Sequence, residues 1–327
     1  MTGKSVWIAA ALAAFVAGCG RTPQSPEDAA AMAGADAEPA AETAEIAAVP
    51  GADAAFVREQ EAWREQRRES LLAPDGWTGL IGLHWIELKA HYVGSGSGLR
   101  LAKGPPRIGL LQQEGGRLFF TPEKDVELTL DGEPLTGRVE LHDDFSATPS
   151  TIGFDDGKGE ISVIARGGRR ALRVRHDEAE GRTGFAGLDY WPMDPGWRVQ
   201  GKFVAHPPGR TIEIANIIGI VEAQPNPGAV EFERDGQQYR LEALEGGEGA
   251  LFLILADRTN GQGSYGAGRY LYTDAPDAQG NVTLDFNRAY NPPCAFTAHA
   301  TCPLPPPENR LDLRITAGEK AYAKPAS

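Results

Sequence analysis

Glycine and proline interrupt this chain so often that no long regular element can run through most of it. Forty glycines and 24 prolines are spread over 327 residues. The apolar stretches between them are roughly five to nine residues long, the lengths of strands rather than of helices. That punctuation predicts a mainly β protein, built of antiparallel sandwich or barrel-like sheets. Two hairpins can be read with their register. In "ISVIARGGRRALRV" the pair Gly167-Gly168 suits a two-residue turn, setting Val163 opposite Leu172 and Ile161 opposite Val174. The other face then pairs Ser162 with Arg173 and Glu160 with Arg175, so apolar meets apolar and polar meets polar. "VEFERDGQQYRL" repeats this around Asp235-Gly236, matching Val230 with Leu241, Phe232 with Tyr239 and Glu231 with Arg240. "LFLIL" at 251–255 is apolar on both faces and reads as a central strand.

One helix interrupts this pattern, within an N-terminal segment 51–76. Asp53 can cap it, Phe56, Trp63 and Leu71 lie near one stripe, Glu65 and Arg68 can pair across a turn, and Pro74 and Gly76 end it near Leu72. Its expected task is to pack Trp63 against the following sheet. A first β part is expected over 77–180 and a second over 181–327. In "GSGSGLRL" and "VELTLDGEPL" the first part resembles forkhead-associated sandwiches. The arginine and histidine that grip phosphothreonine in that family are missing, since Val93-Gly94 precede Ser95, so the resemblance implies the sandwich shape alone.

Before the helix the chain has a different character. Lys4 precedes an apolar run from Val6 to Phe15, then Val16-Ala17-Gly18-Cys19. The run is too short for a membrane span and reads as a signal peptide, residues 1–18. The motif closely resembles that of bacterial lipoproteins. The resemblance implies cleavage before Cys19, acyl chains on that residue and a lipid-anchored, periplasm-facing protein in the cell envelope. Gly20, where an aspartate would retain such a protein at the inner membrane, implies the outer membrane by analogy. Residues 19–50 are mostly Ala, Glu, Asp and Pro, too poor in large apolar side chains to fold, and read as a disordered acidic tether. A net charge of −13 with no long basic run argues against nucleic acid as a partner.

Two further cysteines stand in "DFNRAYNPPCAFTAHATCPLPPPENR", where proline forbids both helix and regular strand. Cys294 and Cys302 form an even pair in an oxidising compartment, which points to a disulfide clip. Two other readings stay open: soft metal ligation with His299, for which no fourth ligand is evident, and a Cys294–His299 thiolate pair. No cofactor is implied. "GQGSYG" at 261–266 fits the dinucleotide pattern, but strand alternation in "RYLYT" follows it where a helix is needed, so it reads as a glycine-rich hairpin. No nucleophile elbow, metalloprotease motif or phosphate loop occurs. His84, among apolar neighbours, reads as a satisfied core histidine more readily than as a functional one.

If 251–257, 268–274 and 281–287 are three successive antiparallel strands, the ends near 257, 269 and 287 share one rim. Asp257, Tyr265, Arg269, Asp285, Asn287, Tyr290 and Asn291 would gather there, roofed by the clipped loop. The plainer alternative is that Arg269 and the aspartates satisfy each other and nearby loop amides.

"ADRTNGQGSYGAGRYL", "DFNRAYNPPCAFTAHATCPLPPPENRL" and "ITAGEK" resemble the family catalogued as domain of unknown function 1684, with the likeness extending from about Trp63 to Lys320. Its motif positions fall on the rim residues, on Cys294 and Cys302, and on Thr259, Gly268, Phe286, Pro292, Pro303, Asn309 and Glu319. The resemblance implies membership without a mechanism. The function expected is binding of a small molecule or envelope component at the rim. The alternative is a hydrolase in which Asp285 or Asp257 is general base, Arg269 holds an anion and Tyr290 or Tyr265 donates a hydrogen bond.

Overall fold

The computed structural model describes residues 48–323. The expected signal peptide, the expected lipidation site Cys19 and all but the end of the expected tether lie outside them. Among the described residues no helix is long and apolar enough to cross a membrane.

The helix runs from Ala54 to Leu72, and the Asp53 carboxylate accepts the Ala55 and Phe56 amides at 2.8 Å each, satisfying two donors that have no partner within the helix. Glu65 and Arg68 pair as expected. The buried stripe is not the expected one. Trp63 stays half-buried, while Gln60 and Arg64 are fully inside with Phe56 and Leu71. Gln60, Arg64 and Arg67 recur at intervals of four and three, which places them on one face. That face meets polar partners, so apolar content alone misread it.

The fold is mainly β and largely antiparallel. After the helix, one six-stranded sheet runs Leu80–Trp85, Arg169–His176, Gly159–Arg166, Thr151–Phe154, Thr129–Leu130, Glu133–Pro134 in spatial order. A five-stranded sheet, Leu99–Arg100, Ala90–Gly94, Gly109–Glu114, Arg117–Pro122, Val139–Leu141, faces it. Val93, Leu111 and Phe120 of the second share one core with Ile161, Val163, Leu172 and Val174 of the first. The Gly167-Gly168 hairpin has the register read from sequence, including Ser162 opposite Arg173. Its polar face is not left to water, however: Arg166 and Arg173 are 1% and 7% exposed.

The second six-stranded sheet runs Arg269–Thr273, Leu251–Leu255, Gln237–Glu245, Gly228–Arg234, Arg198–Ala205, Asn281–Asp285. Its two end strands approach each other, so it is nearly closed as a barrel. The Asp235-Gly236 hairpin keeps its expected pairs. Leu251–Leu255 is buried throughout, with Leu251, Leu253 and Leu255 in the barrel core and Phe252 and Ile254 in a second cluster outside it. One expectation needs correction. Asn281–Asp285 does not hydrogen-bond to Arg269–Thr273; it pairs with Arg198–Lys202, the strand on the far side of the sheet. Barrel curvature, rather than a three-strand meander, brings the ends near 257, 269 and 285 to a common rim.

Candidate functional site

At that rim the anticipated residues divide into interlocked clusters. Asp257 and Arg269 form an ion pair at 2.7 Å with both side chains fully buried. The other Asp257 oxygen accepts the Thr259 and Ile315 amides at 2.7 and 3.2 Å. Arg269 also donates to the carbonyls of Ile315 and Ala317, stitching the C-terminal segment to the barrel. Burial pulls its guanidinium below the usual value, against the attraction of Asp257.

Asp285 accepts Arg198 at 2.7 and 2.9 Å and Gln60 at 2.8 Å, and it caps the turn Phe286–Arg288 through the Asn287 amide. Asn287 bonds both the amide and the carbonyl of Asp194. Asn291 donates its backbone N–H to Glu319 at 2.7 Å, and Arg67 donates to Glu319 and to the Asn291 carbonyl at 2.8 and 2.9 Å. Burial opposes the Arg67 charge, but the charge of Glu319 and its hydrogen bond outweigh it and the pKa ends above its ordinary value. Tyr265 instead joins the apolar cluster of Leu71, Ala295 and Phe296. Each rim carboxylate is therefore held by a guanidinium, the arrangement the plainer sequence reading described.

Cys294 and Cys302 are joined by a disulfide. The clipped loop does not roof the Asp257–Arg269 pair. It lies beside Tyr290, where it helps enclose a cavity of about 100 Å³. Five rings form its wall: Trp77, Phe252, Tyr270, Tyr272 and Tyr290. Phe252 stacks on its cross-strand partner Tyr272 at 4.7 Å and meets Tyr270 edge-on at 5.0 Å, and Tyr290 meets Tyr270 edge-on at 5.8 Å. The Tyr270 hydroxyl donates to the Pro303 carbonyl at 2.8 Å, fastening the loop to the wall. Burial raises the pKa values of Tyr270, Tyr272 and Tyr290, so all three phenols are neutral.

Two arginines complete the lining, Arg67 from the helix and Arg173 from the first sheet. Arg67 is neutralised by Glu319. Arg173 is not: its Nε and Nη2 are buried without a hydrogen-bond partner, and its guanidinium lies over the Trp77 ring at 5.4 Å and feels the attraction of Asp144, itself paired with Arg166. Of the four buried arginines among the described residues, Arg64, Arg166 and Arg269 each donate to protein oxygens, and Arg173 alone makes neither a hydrogen bond nor an ion pair. Burial and the charges of Arg166 and Arg175 push its pKa down to about 10, which still leaves a cation at neutral pH. His84 is likewise not the satisfied histidine anticipated, since its buried Nε2 has no partner.

Of the anticipated residues, Tyr290 and Cys302 line this cavity; Arg67, Trp77, Arg173, Phe252, Tyr270 and Tyr272 were missed. A signal for three of them was present. Phe252, Tyr270 and Tyr272 alternate with the aliphatic residues of "LFLIL" and "RYLYT", so one face of that hairpin is aromatic.

Residues 183–320 match the model of the family described as "Protein of unknown function (DUF1684)", and this C-terminal region belongs to it. The family match thus begins well after Trp63 and covers the barrel and clipped loop. The chain is also similar to an uncharacterized protein of Haloarcula marismortui solved by solution NMR, at 33% identity over 42% of this chain and 78% of that one, with a TM-score of 0.35. A search of curated proteins found no match.

Proposed function

We propose that this chain is an envelope lipoprotein, tethered through acyl groups on Cys19, that binds a small molecule in the cavity where helix, first sheet and clipped loop meet. The observation that carries the binding reading is an aromatic-walled cavity containing a buried guanidinium that no protein group satisfies, since concave apolar sites with a few placed polar groups are the usual form of small-molecule sites. The hydrolase alternative needs a carboxylate free to take a proton, and Asp257 and Asp285 are both engaged by arginines.

The test is mass spectrometry of small molecules retained by protein purified natively from the envelope, comparing wild type with Ala300→Phe, which fills the cavity beside the disulfide. Tyr272→Ala, which enlarges the cavity instead, serves as a second variant. A species held by wild type and lost from Ala300→Phe is expected. Equal retention by all three, or by none, overturns the reading. Loss of membrane association in Cys19→Ala tests the tether.

A further inference from the structure

We propose that the ligand is a monoanionic carboxylate carried on a flat, apolar body, with Arg173 as its anion clamp; this rests on the binding reading above. The lining contains no carboxylate and two guanidinium groups, of which Arg67 is cancelled by its buried partner Glu319. Outside the cavity, Arg166 is paired with Asp144 at 2.5 Å and Arg175 faces Glu160 at 3.6 Å. One uncompensated positive charge remains, which matches one negative charge. A phosphate dianion would call for a second cation or a cluster of backbone N–H groups, as phosphate sites generally supply.

Geometry agrees. The vacant Nε and Nη2 form one edge of the guanidinium fork, the edge that grips two oxygens of a carboxylate side by side. Thr301, also in the lining, has a buried hydroxyl oxygen without a partner and can supply a further donor. The remaining surface is rings and prolines with Ala300 and the Cys302 sulfur, suited to an apolar, planar body. A volume of about 100 Å³ is of the order of a cavity known to hold benzene.

Benzoate is the probe, with benzamide as its neutral isostere and inorganic phosphate as the competing anion. Affinities are measured by calorimetry on the full-length protein, in wild type, Arg173→Gln and Arg173→Lys. Wild type should bind benzoate at least about tenfold more tightly than benzamide. Arg173→Gln should abolish that preference by weakening benzoate binding far more than benzamide binding, and Arg173→Lys, which keeps the charge but not the fork, should fall between. Benzoate should raise the thermal midpoint of wild type and not of Arg173→Gln. Equal affinity for benzoate and benzamide, or tighter binding of phosphate than of benzoate, overturns the carboxylate assignment and leaves the binding reading standing. If no probe binds and the retained species lacks a carboxyl group, the assignment falls alone. If no probe binds and nothing is retained, both fall.

Discussion

Replacing Asp257 by asparagine should be among the most damaging single changes in the barrel, although it alters no apolar contact. The carboxylate has three jobs: one oxygen takes the Thr259 and Ile315 amides, and the other takes the Arg269 guanidinium at 2.7 Å in a site with no solvent access to either side chain. Asparagine can keep its Oδ1 on the two amides, but its Nδ2 then faces Arg269, donor against donor. The Arg269 charge stays buried and unpaired, a loss worth about 3–5 kcal/mol. At roughly 2–4 °C per kcal/mol for a chain of this size class, the thermal midpoint should fall by about 6–20 °C. Urea titration gives the same quantity isothermally. The double variant Asp257→Asn/Arg269→Met removes the stranded charge and should recover about 2 kcal/mol or more, incompletely, because the Ile315 and Ala317 carbonyls lose their donor. A single variant costing less than about 1 kcal/mol, or additive effects in the double, would refute the argument that this pair is a dry structural staple.

Acid should weaken the fold through His84 and His299, whose pKa values burial holds below the ordinary 6.5. The unfolded chain then takes up protons first, so stability is full above about pH 6.5 and declines as pH falls below it, and urea midpoints from about pH 8 to pH 5 should show a slope that His84→Gln reduces. Converting Cys294 and Cys302 together to serine opens a loop closed across eight positions and should cost roughly 2–3 kcal/mol, with equal stability of oxidised and reduced wild type as the contrary result. Gly268→Ala should cost about 1–3 kcal/mol or more by thermal melt, because φ is +104° there and an added Cβ would collide with the Pro305 ring and lie 2.8 Å from the Leu255 carbonyl.

Local pattern carried far in this chain wherever the relevant partners were close in sequence. Both hairpin registers followed from alternation around a turn, and the helix start followed from one capping aspartate. The gathering of Asp257 and Arg269 was legible for the same reason, since strand tips joined by a short connection meet. Asn281–Asp285 was not legible, because its partner Arg198–Lys202 lies some eighty residues away and nothing in either segment names the other. Arg173 marks a different limit. Alternation assigns it to the polar face of its strand and is right, but alternation cannot distinguish a face open to water from one that another part of the chain will cover. The stripe Gln60, Arg64, Arg67 was passed over likewise: its burial depends on distant acceptors in Asp285, Trp191 and Glu319.

The polar character of that covered face is what singles out the cavity. Where the helix and the first sheet meet the barrel, buried charge is met by acceptors: Arg67 by Glu319, Arg166 by Asp144, Arg198 by Asp285. Such groups destabilise a fold unless paired, and Arg173 is the one buried arginine among the described residues with neither a hydrogen-bond nor an ion-pair acceptor. At Arg173 a glutamine or leucine would relieve the fold of a charge that no acceptor binds, compensated by the face of Trp77 and by the attraction of Asp144, which already pairs with Arg166. Arg173→Gln in the absence of ligand should therefore be at least as stable as wild type, a sign opposite to that expected for Arg269 or Arg67. A marked fall in the thermal midpoint of ligand-free Arg173→Gln would mean that the guanidinium already has its partner within the chain, and the reason for assigning it to a ligand would be gone.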